Sequence, residues 1–219
     1  MNRPNLSAGT GTLCLWWGGT ALAFGTFIWI TRELSEGEVA PIDSYALHGF
    51  AKIRAPWLTS VAVDLTAVGS STLVILFSAF TLLVLIMLRD RLGAFQLLAA
   101  STGAGILTLV TKNAIERNRP LEAQQLVVVY GFSYPSGHSL LTSALYLTVA
   151  IIGCRYVRHS GSRATIVLAA LTICVMVAAS RVYRGVHYAT DVASGFLLGA
   201  AWALLLNGFF ALHELRRVP

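Results

Sequence analysis

Long uncharged runs alternate with short polar segments along the whole chain. The runs cover residues 13–31, 65–88, 92–111, 139–154, 164–180 and 192–212, and no Asp, Glu, Lys or Arg falls inside any of them. A membrane-spanning helix needs roughly 20 apolar residues, so the pattern predicts an all-α, polytopic membrane protein with six transmembrane helices in one bundle. The fourth run is short between its flanking polar residues and can extend back through "SYPSG". Keeping charge out of every run avoids the roughly 2.5–3.5 kcal/mol that a mid-membrane Arg, Lys or Asp costs.

Between the first two runs lies the longest connection, residues 32–64. Its first part, "ELSEGEVAPID", reads as an exposed turn with Gly37 and Pro41 as breakers. Its second part, "YALHGFAKIRAPWL", reads as an amphipathic helix lying in the interface, with Trp57 as an anchor. No internal repeat is evident, and residues 1–219 are expected to form one domain. Gly195 and Gly199 give the last run a "GFLLG" spacing, which suits close packing inside the bundle.

Composition agrees with this pattern. Of 219 residues, 56% are hydrophobic and 12% charged. A soluble domain carries about a quarter charged residues, so this chain lacks the charge to coat a water-facing surface. The net charge of +6 comes from basic residues scattered at helix ends. That placement matches lipid headgroups and argues against a nucleic-acid partner. The first run leads into further spans and has no clear cleavage site, so it is expected to remain as a helix. Cys14, Cys154 and Cys174 fall in or beside apolar runs and read as packing residues.

With the N-terminus in the cytoplasm, Lys and Arg divide evenly. Arg3, Arg89, Arg91, Arg155, Arg158, Arg163, Arg216 and Arg217 lie inside, and Arg32, Lys52, Arg54, Lys112, Arg117, Arg119, Arg181 and Arg184 lie outside. The short loops "RDR" and "RYVRHSGSR" favour this orientation. Three polar segments then share the outer face: 32–64, 112–138 and 181–191.

The last two of these segments concentrate the chemistry. They read Lys112, six residues, Arg119-Pro120; then Pro135-Ser136-Gly137-His138; then Ser180-Arg181, five residues, His187, three residues, Asp191. Lys112, Arg119 and Arg181 supply three positive charges, and guanidinium forks match phosphate oxygens. "SGH" falls at the expected start of the fourth helix, where backbone N–H groups point outward and Gly137 permits close approach. His187 and Asp191 share a face if the last helix begins this early. Asp191 can then hold one imidazole nitrogen and leave the other with a free lone pair, the logic of a nucleophile or base paired with a carboxylate. His138 comes from another helix and could serve as the acid. His48, His159 and His213 read as solvated. No clustered carboxylates suggest a metal site.

The three segments match the signature of the type 2 phosphatidic acid phosphatase superfamily without a substitution at its defining positions. The resemblance covers about the central third of the chain. It implies a membrane phosphatase that acts on lipid phosphates or diphosphates with no metal or other cofactor. It implies His187 as the nucleophile, forming a phosphohistidine, with Asp191 orienting it and His138 protonating the leaving oxygen. Lys112, Arg119, Ser136, Gly137 and Arg181 would bind the phosphoryl oxygens. Undecaprenyl diphosphate, phosphatidylglycerophosphate, phosphatidate and lipid A phosphate all present such a group. The alternatives are a lipid phosphotransferase using the same residues, and a non-catalytic lipid-binding or transport protein. Transporters usually place polar groups at the midplane, whereas these sit at the interface. The expected location is the bacterial inner membrane with the site on the periplasmic side and no obligatory protein partner.

Overall fold

The computed structural model describes residues 10–121 and 124–215. Arg3, Arg216, Arg217 and the side chain of His213, which entered the topology and histidine readings, lie outside the described residues. Eight α-helices and no strand occur among the described residues. They are α1 (Thr10–Glu36), α2 (Ala40–Lys52), α3 (Pro56–Val68), α4 (Ser71–Met87), α5 (Arg91–Ile115), α6 (Gly137–Tyr156), α7 (Ser160–Tyr183) and α8 (Ala189–Leu215).

Five helices are each long and apolar enough to cross a membrane: α1, α5, α6, α7 and α8. The expected second span, 65–88, is divided. Helices α3 and α4 meet at an angle of 49° across Gly69 and Ser70, so the described residues offer five candidate spans, or six if the bent pair counts as one. Ser70 caps α4 by accepting from the Leu73 N–H at 3.3 Å, a start signal inside the apolar run. Ser136 is the N-cap residue of α6, which begins at Gly137 and does not extend back through "SYPSG".

The connection after α1 differs from the expected turn and single amphipathic helix. Helix α1 runs on to Glu36, with an exposed Arg32–Glu36 ion pair at 2.8 Å. The turn shrinks to three residues around Gly37, whose φ is +85°. Pro41 opens α2, a position where its missing N–H is not needed. The stretch "YALHGFAKIRAPWL" breaks because Pro56 cannot continue a helix begun at Ala40; it starts α3 instead. Trp57 remains exposed there.

Helix α6 is the centre of the bundle, packed against α8, α7 and α5. Leu140 and Ala144 are fully buried on it. Gly195 and Gly199 bring α8 onto α6: a Cβ on Gly195 would lie 2.5 Å from the Ser136 carbonyl oxygen, and one on Gly199 would strike Ser143 Oγ and the Leu140 carbonyl. The "GFLLG" spacing thus serves packing within the bundle. Cys174 is buried with Tyr146, Ala150 and Ala170. Leu22, Ile75, Phe80 and Ile106, by contrast, are well over half exposed. Faces this apolar suit a hydrocarbon surround.

The helix directions gather the polar segments at one end, where α5 and α7 finish and α6 and α8 begin. The two Arg-rich loops lie together at the other end, where Tyr156 Oη donates to Asp90 Oδ2 at 2.7 Å. His48 and His159 are exposed, as expected. His159 also caps α7, its Nδ1 accepting from the Gly161 N–H at 3.2 Å.

Candidate active site

Lys112 stands in the last turn of α5. The helix stops at Glu116, which adopts a left-handed conformation with φ +49° and turns the chain across the end of the bundle. Lys112 Nζ donates to the Phe132 carbonyl at 2.5 Å. The loop is stitched to the residues before α6: the Ser133 N–H donates to the Arg117 carbonyl at 2.8 Å and Ser133 Oγ to the Asn118 carbonyl at 3.0 Å. Gly137 fits against α5, since a Cβ there would lie 3.1 Å from Thr108 Cγ2.

Arg181, in the last turn of α7, is 4% exposed. Its Nη1 donates to Thr66 Oγ1 of α3 at 2.8 Å, while its Nε is buried without a hydrogen-bond partner among the described residues. Ser136 Oγ is likewise buried and unbonded among them. A buried unsatisfied donor costs about 1–3 kcal/mol, so both groups are suited to an anion's oxygens. Gly185, φ +69°, turns the chain from α7 toward His187.

His187 precedes α8 by two residues; the last helix does not begin early enough to include it. The pair forms nonetheless. Asp191, in the first turn of α8, accepts at Oδ2 from the Tyr188 N–H at 2.9 Å, and the same oxygen lies 3.3 Å from His187 Nδ1. Arg119 Nη1 lies 3.2 Å from His187 Nε2 and donates to the Val186 carbonyl at 2.7 Å. A guanidinium can only donate. Nε2 therefore carries the lone pair and Nδ1 the proton that faces Asp191. Burial drives the His187 imidazole toward the neutral form, with Arg181 and Arg119 adding to the effect and Asp191 opposing it; the pKa falls to about 4. At neutral pH this ring is an uncharged base with its free nitrogen turned to the arginines.

His138 comes from the first turn of α6 and lies in electrostatic range of His187, Arg181, Arg119 and Arg184. Lys112 is likewise in range of Arg119, Arg181 and Asp191. The sequence-predicted residues His187, Asp191, His138, Lys112, Arg119, Ser136, Gly137 and Arg181 thus gather at one end of the bundle.

Two residues of this neighbourhood escaped the sequence reading. Arg117 donates from Nη1 to Asp191 Oδ1 at 2.5 Å and from Nη2 to Asp43 Oδ2 at 2.6 Å. Asp43, assigned by sequence to an exposed turn, is 1% exposed. It accepts from the Thr190 N–H at 2.9 Å and Thr190 Oγ1 at 2.7 Å. A Pro followed by an acid in a helix's first turn is a recognisable start signal, and "APID" carries it. Nothing in the sequence, however, ties that start to α8. Arg117 was legible only as a second cation in "ERNRP". Burial works against its charge, but Asp191 and Asp43 more than offset this and raise its pKa.

A model of the PAP2 superfamily matches residues 93–213, more than half of the chain and all of the segment from Lys112 to Asp191. The chain belongs to the PAP2 superfamily. Its similarity extends to phosphatidylglycerophosphatase B of Bacillus subtilis, 30% identical over 184 residues that span 84% of this chain and 90% of that protein. An undecaprenyl-diphosphatase of Sulfolobus acidocaldarius is 30% identical over 132 residues, spanning 58% of this chain and 59% of that one. Among solved structures, the transmembrane PAP2-type phosphatidylglycerolphosphate phosphatase from Bacillus subtilis superposes with a TM-score of 0.83 at 29% identity, over 91% of this chain and 98% of that chain. Aquifex aeolicus LpxE shares the fold, with a TM-score of 0.63 at 20% identity over 76% and 94% of the two chains. The PAP2 relatives are thus membrane lipid phosphatases, and the helices of this chain are those of an integral membrane protein.

Proposed function

We propose that residues 1–219 form one metal-independent phosphatase domain that hydrolyses the terminal phosphate of a membrane lipid, a phosphomonoester or a diphosphate. The observation that carries this reading is that His187 is held between an acceptor and a donor. Nδ1 faces Asp191, and Nε2 faces the donors of Arg119. The names of the relatives support the substrate class.

In this mechanism the phosphoryl oxygens lie among Lys112, Arg119, Arg181, Ser136 and the backbone at Gly137. His187 Nε2 attacks phosphorus as the bond to the lipid oxygen breaks, giving a phosphohistidine. His138 gives its proton to the departing oxygen. A water then attacks the phosphohistidine, His138 takes its proton, and phosphate leaves. Phosphoryl transfer spreads charge over three equatorial oxygens, so fixed cationic donors supply most of the stabilisation. Asp191 balances the imidazolium character that grows on His187 during attack. Among the described residues no three His, Cys, Asp or Glu side chains converge to hold a metal ion.

We place the site on the periplasmic side of the bacterial inner membrane, because the short Arg-rich loops at the opposite end favour the cytoplasm. Phosphate release by the purified protein from phosphatidylglycerophosphate, undecaprenyl diphosphate, phosphatidate and lipid A phosphate, with EDTA present, tests the reading. Turnover of at least one is expected. Activity that vanishes in EDTA and returns with magnesium would reject the metal-free mechanism. Transfer of phosphate to an acceptor other than water would instead identify a phosphotransferase.

A further inference from the structure

Arg117 and Asp43 lie beside the proposed nucleophile but outside the motif positions, and Asp43 also lies outside the residues matched by the family model. We infer that Arg117, held in place by Asp43, is a positioning residue: it fixes the Asp191 carboxylate against His187 and sets how much of that carboxylate's charge the imidazole feels. The inference rests on His187 as the attacking group.

The geometry leaves the guanidinium little freedom. One arm reaches Asp191 Oδ1 at 2.5 Å and Thr190 Oγ1 at 2.9 Å. The other reaches Asp43 Oδ2 at 2.6 Å. The Tyr188 ring covers its face, with the guanidinium carbon 4.0 Å from the centroid. Asp43 and Asp191 are almost fully enclosed, with side chains 2% and 0% exposed. A fork stretched between two acids cannot swing toward the phosphate ligands. Arg119, two residues on, turns the other way and, among the described residues, meets carbonyls and His187. Helix α2 thereby acts on α8 twice through Asp43, directly at Thr190 and through the Arg117 fork at Asp191.

The electrostatic consequence has a definite sign. The charged and titratable groups around the His187–Asp191 pair are Asp43 from α2, Lys112 from α5, Arg117, Arg119 and Tyr134 from the loop, His138 from α6, Arg181 and Arg184 from the end of α7, and Tyr188. Arg117 contacts Asp191 directly and draws off part of its field. Removing Arg117 returns that field to His187 and favours the imidazolium. Neutralising Asp43 leaves Arg117 undivided on Asp191 and has the opposite effect.

The test is a titration of the full-length protein, labelled with [15N]histidine in detergent micelles, with the His187 resonance identified by its loss in His187→Gln. Turnover of phosphatidylglycerophosphate in mixed micelles is measured alongside. Arg117→Gln is expected to raise the His187 midpoint by about one pH unit. It should also lower kcat by about 10²-fold, the scale of a misplaced reacting group, with KM little changed. Asp43→Asn should move the midpoint down. Arg117→Lys should return the midpoint toward wild type without restoring kcat, because a single amine cannot span two carboxylates. An unmoved midpoint in folded Arg117→Gln overturns the inference, as does a rise in KM at unchanged kcat, which would make Arg117 a substrate ligand. If Arg117→Gln does not fold, Asp43→Asn and Arg117→Lys carry the same titration. Normal turnover by His187→Ala would remove the nucleophile reading, while the titration would still report on the clamp.

Discussion

The two sides of His187 are built on opposite rules. On the Nδ1 side the charges are tied to one another: the single guanidinium of Arg117 bridges Asp191 and Asp43, and Thr190 donates to Asp43. On the Nε2 side the cations meet neutral acceptors among the described residues. Arg119 donates to the Gly131 and Val186 carbonyls, Lys112 to the Phe132 carbonyl, and Arg181 to the Thr66 hydroxyl. The unbonded Arg181 Nε and Ser136 Oγ belong to this second side. Paired charges hold a geometry and weaken one another's field. Cations held by carbonyls keep their charge, so they hold a position and still attract an anion. A ring set between the two is aimed from one side and supplied with its target from the other.

The sharpest way to break this division is to remove the ring. His187→Ala should abolish phosphate release while the protein still elutes as a folded species in detergent. Asp191→Asn should lower kcat by about 10⁴-fold, the loss seen when a serine-protease triad aspartate is replaced and the imidazole takes the wrong tautomer. Phosphate label trapped on wild type or His138→Ala, but never on His187→Ala, would assign the covalent step to this ring. Near-normal turnover by either His187→Ala or Asp191→Asn would mean that the two sides do not meet in the reaction.

A smaller effect is expected from changing one cation while keeping its charge. Arg181→Lys preserves a positive group on the Nε2 side but loses the fork that reaches Thr66 and leaves Nε unbonded. Loss of one preorganised donor costs about 10²–10³-fold in kcat. If charge alone matters on this side, Arg181→Lys will instead turn over at the wild-type rate, and the contrast with the geometrically fixed Nδ1 side will sharpen.

The same contrast decides what could be read before the fold was known. The Nε2 side lies in linear motifs: Lys112, Ser136 and Arg181 each stand where a helix starts or ends, and Arg119 precedes Pro120 in the loop after α5, and such positions show in a sequence. On the Nδ1 side only Asp191 shows, four residues after His187; the groups that hold its carboxylate do not. Asp43 and Arg117 are 74 residues apart, and their pairing depends on α2 folding back over the start of α8. The bend between α3 and α4 was hidden for a different reason. An apolar run reports that a segment is buried in lipid, not that it is straight, and the short cap at Ser70 weighs little against 24 uncharged residues. The spans themselves were legible because the bilayer imposes one length on all of them.

The smallest expected effect on catalysis comes from the α6–α8 seam, and it separates stability from the site. On Gly199 a Cβ would strike Ser143 Oγ and the Leu140 carbonyl, with the Ala144 nitrogen 3.1 Å away. Backbone cannot yield as a flexible side chain does, so the helix preference for Ala, worth about 1 kcal/mol over Gly, is outweighed by overpacking of about 1–3 kcal/mol. Gly199→Ala should therefore lower Tm in detergent while the folded fraction keeps its kcat and KM. Gly195 lies one turn nearer the site, and its Cβ would press 2.5 Å from the Ser136 carbonyl and 3.1 Å from Ser139 Cβ. Gly195→Ala should displace the start of α6, and with it a phosphate ligand on the Nε2 side, so KM should rise along with the loss of Tm. Equal kinetic effects from the two variants would show that the start of α6 is not held by this contact, and that Ser136 takes its position from its own N–H, which donates to the Asp191 carbonyl at 2.9 Å.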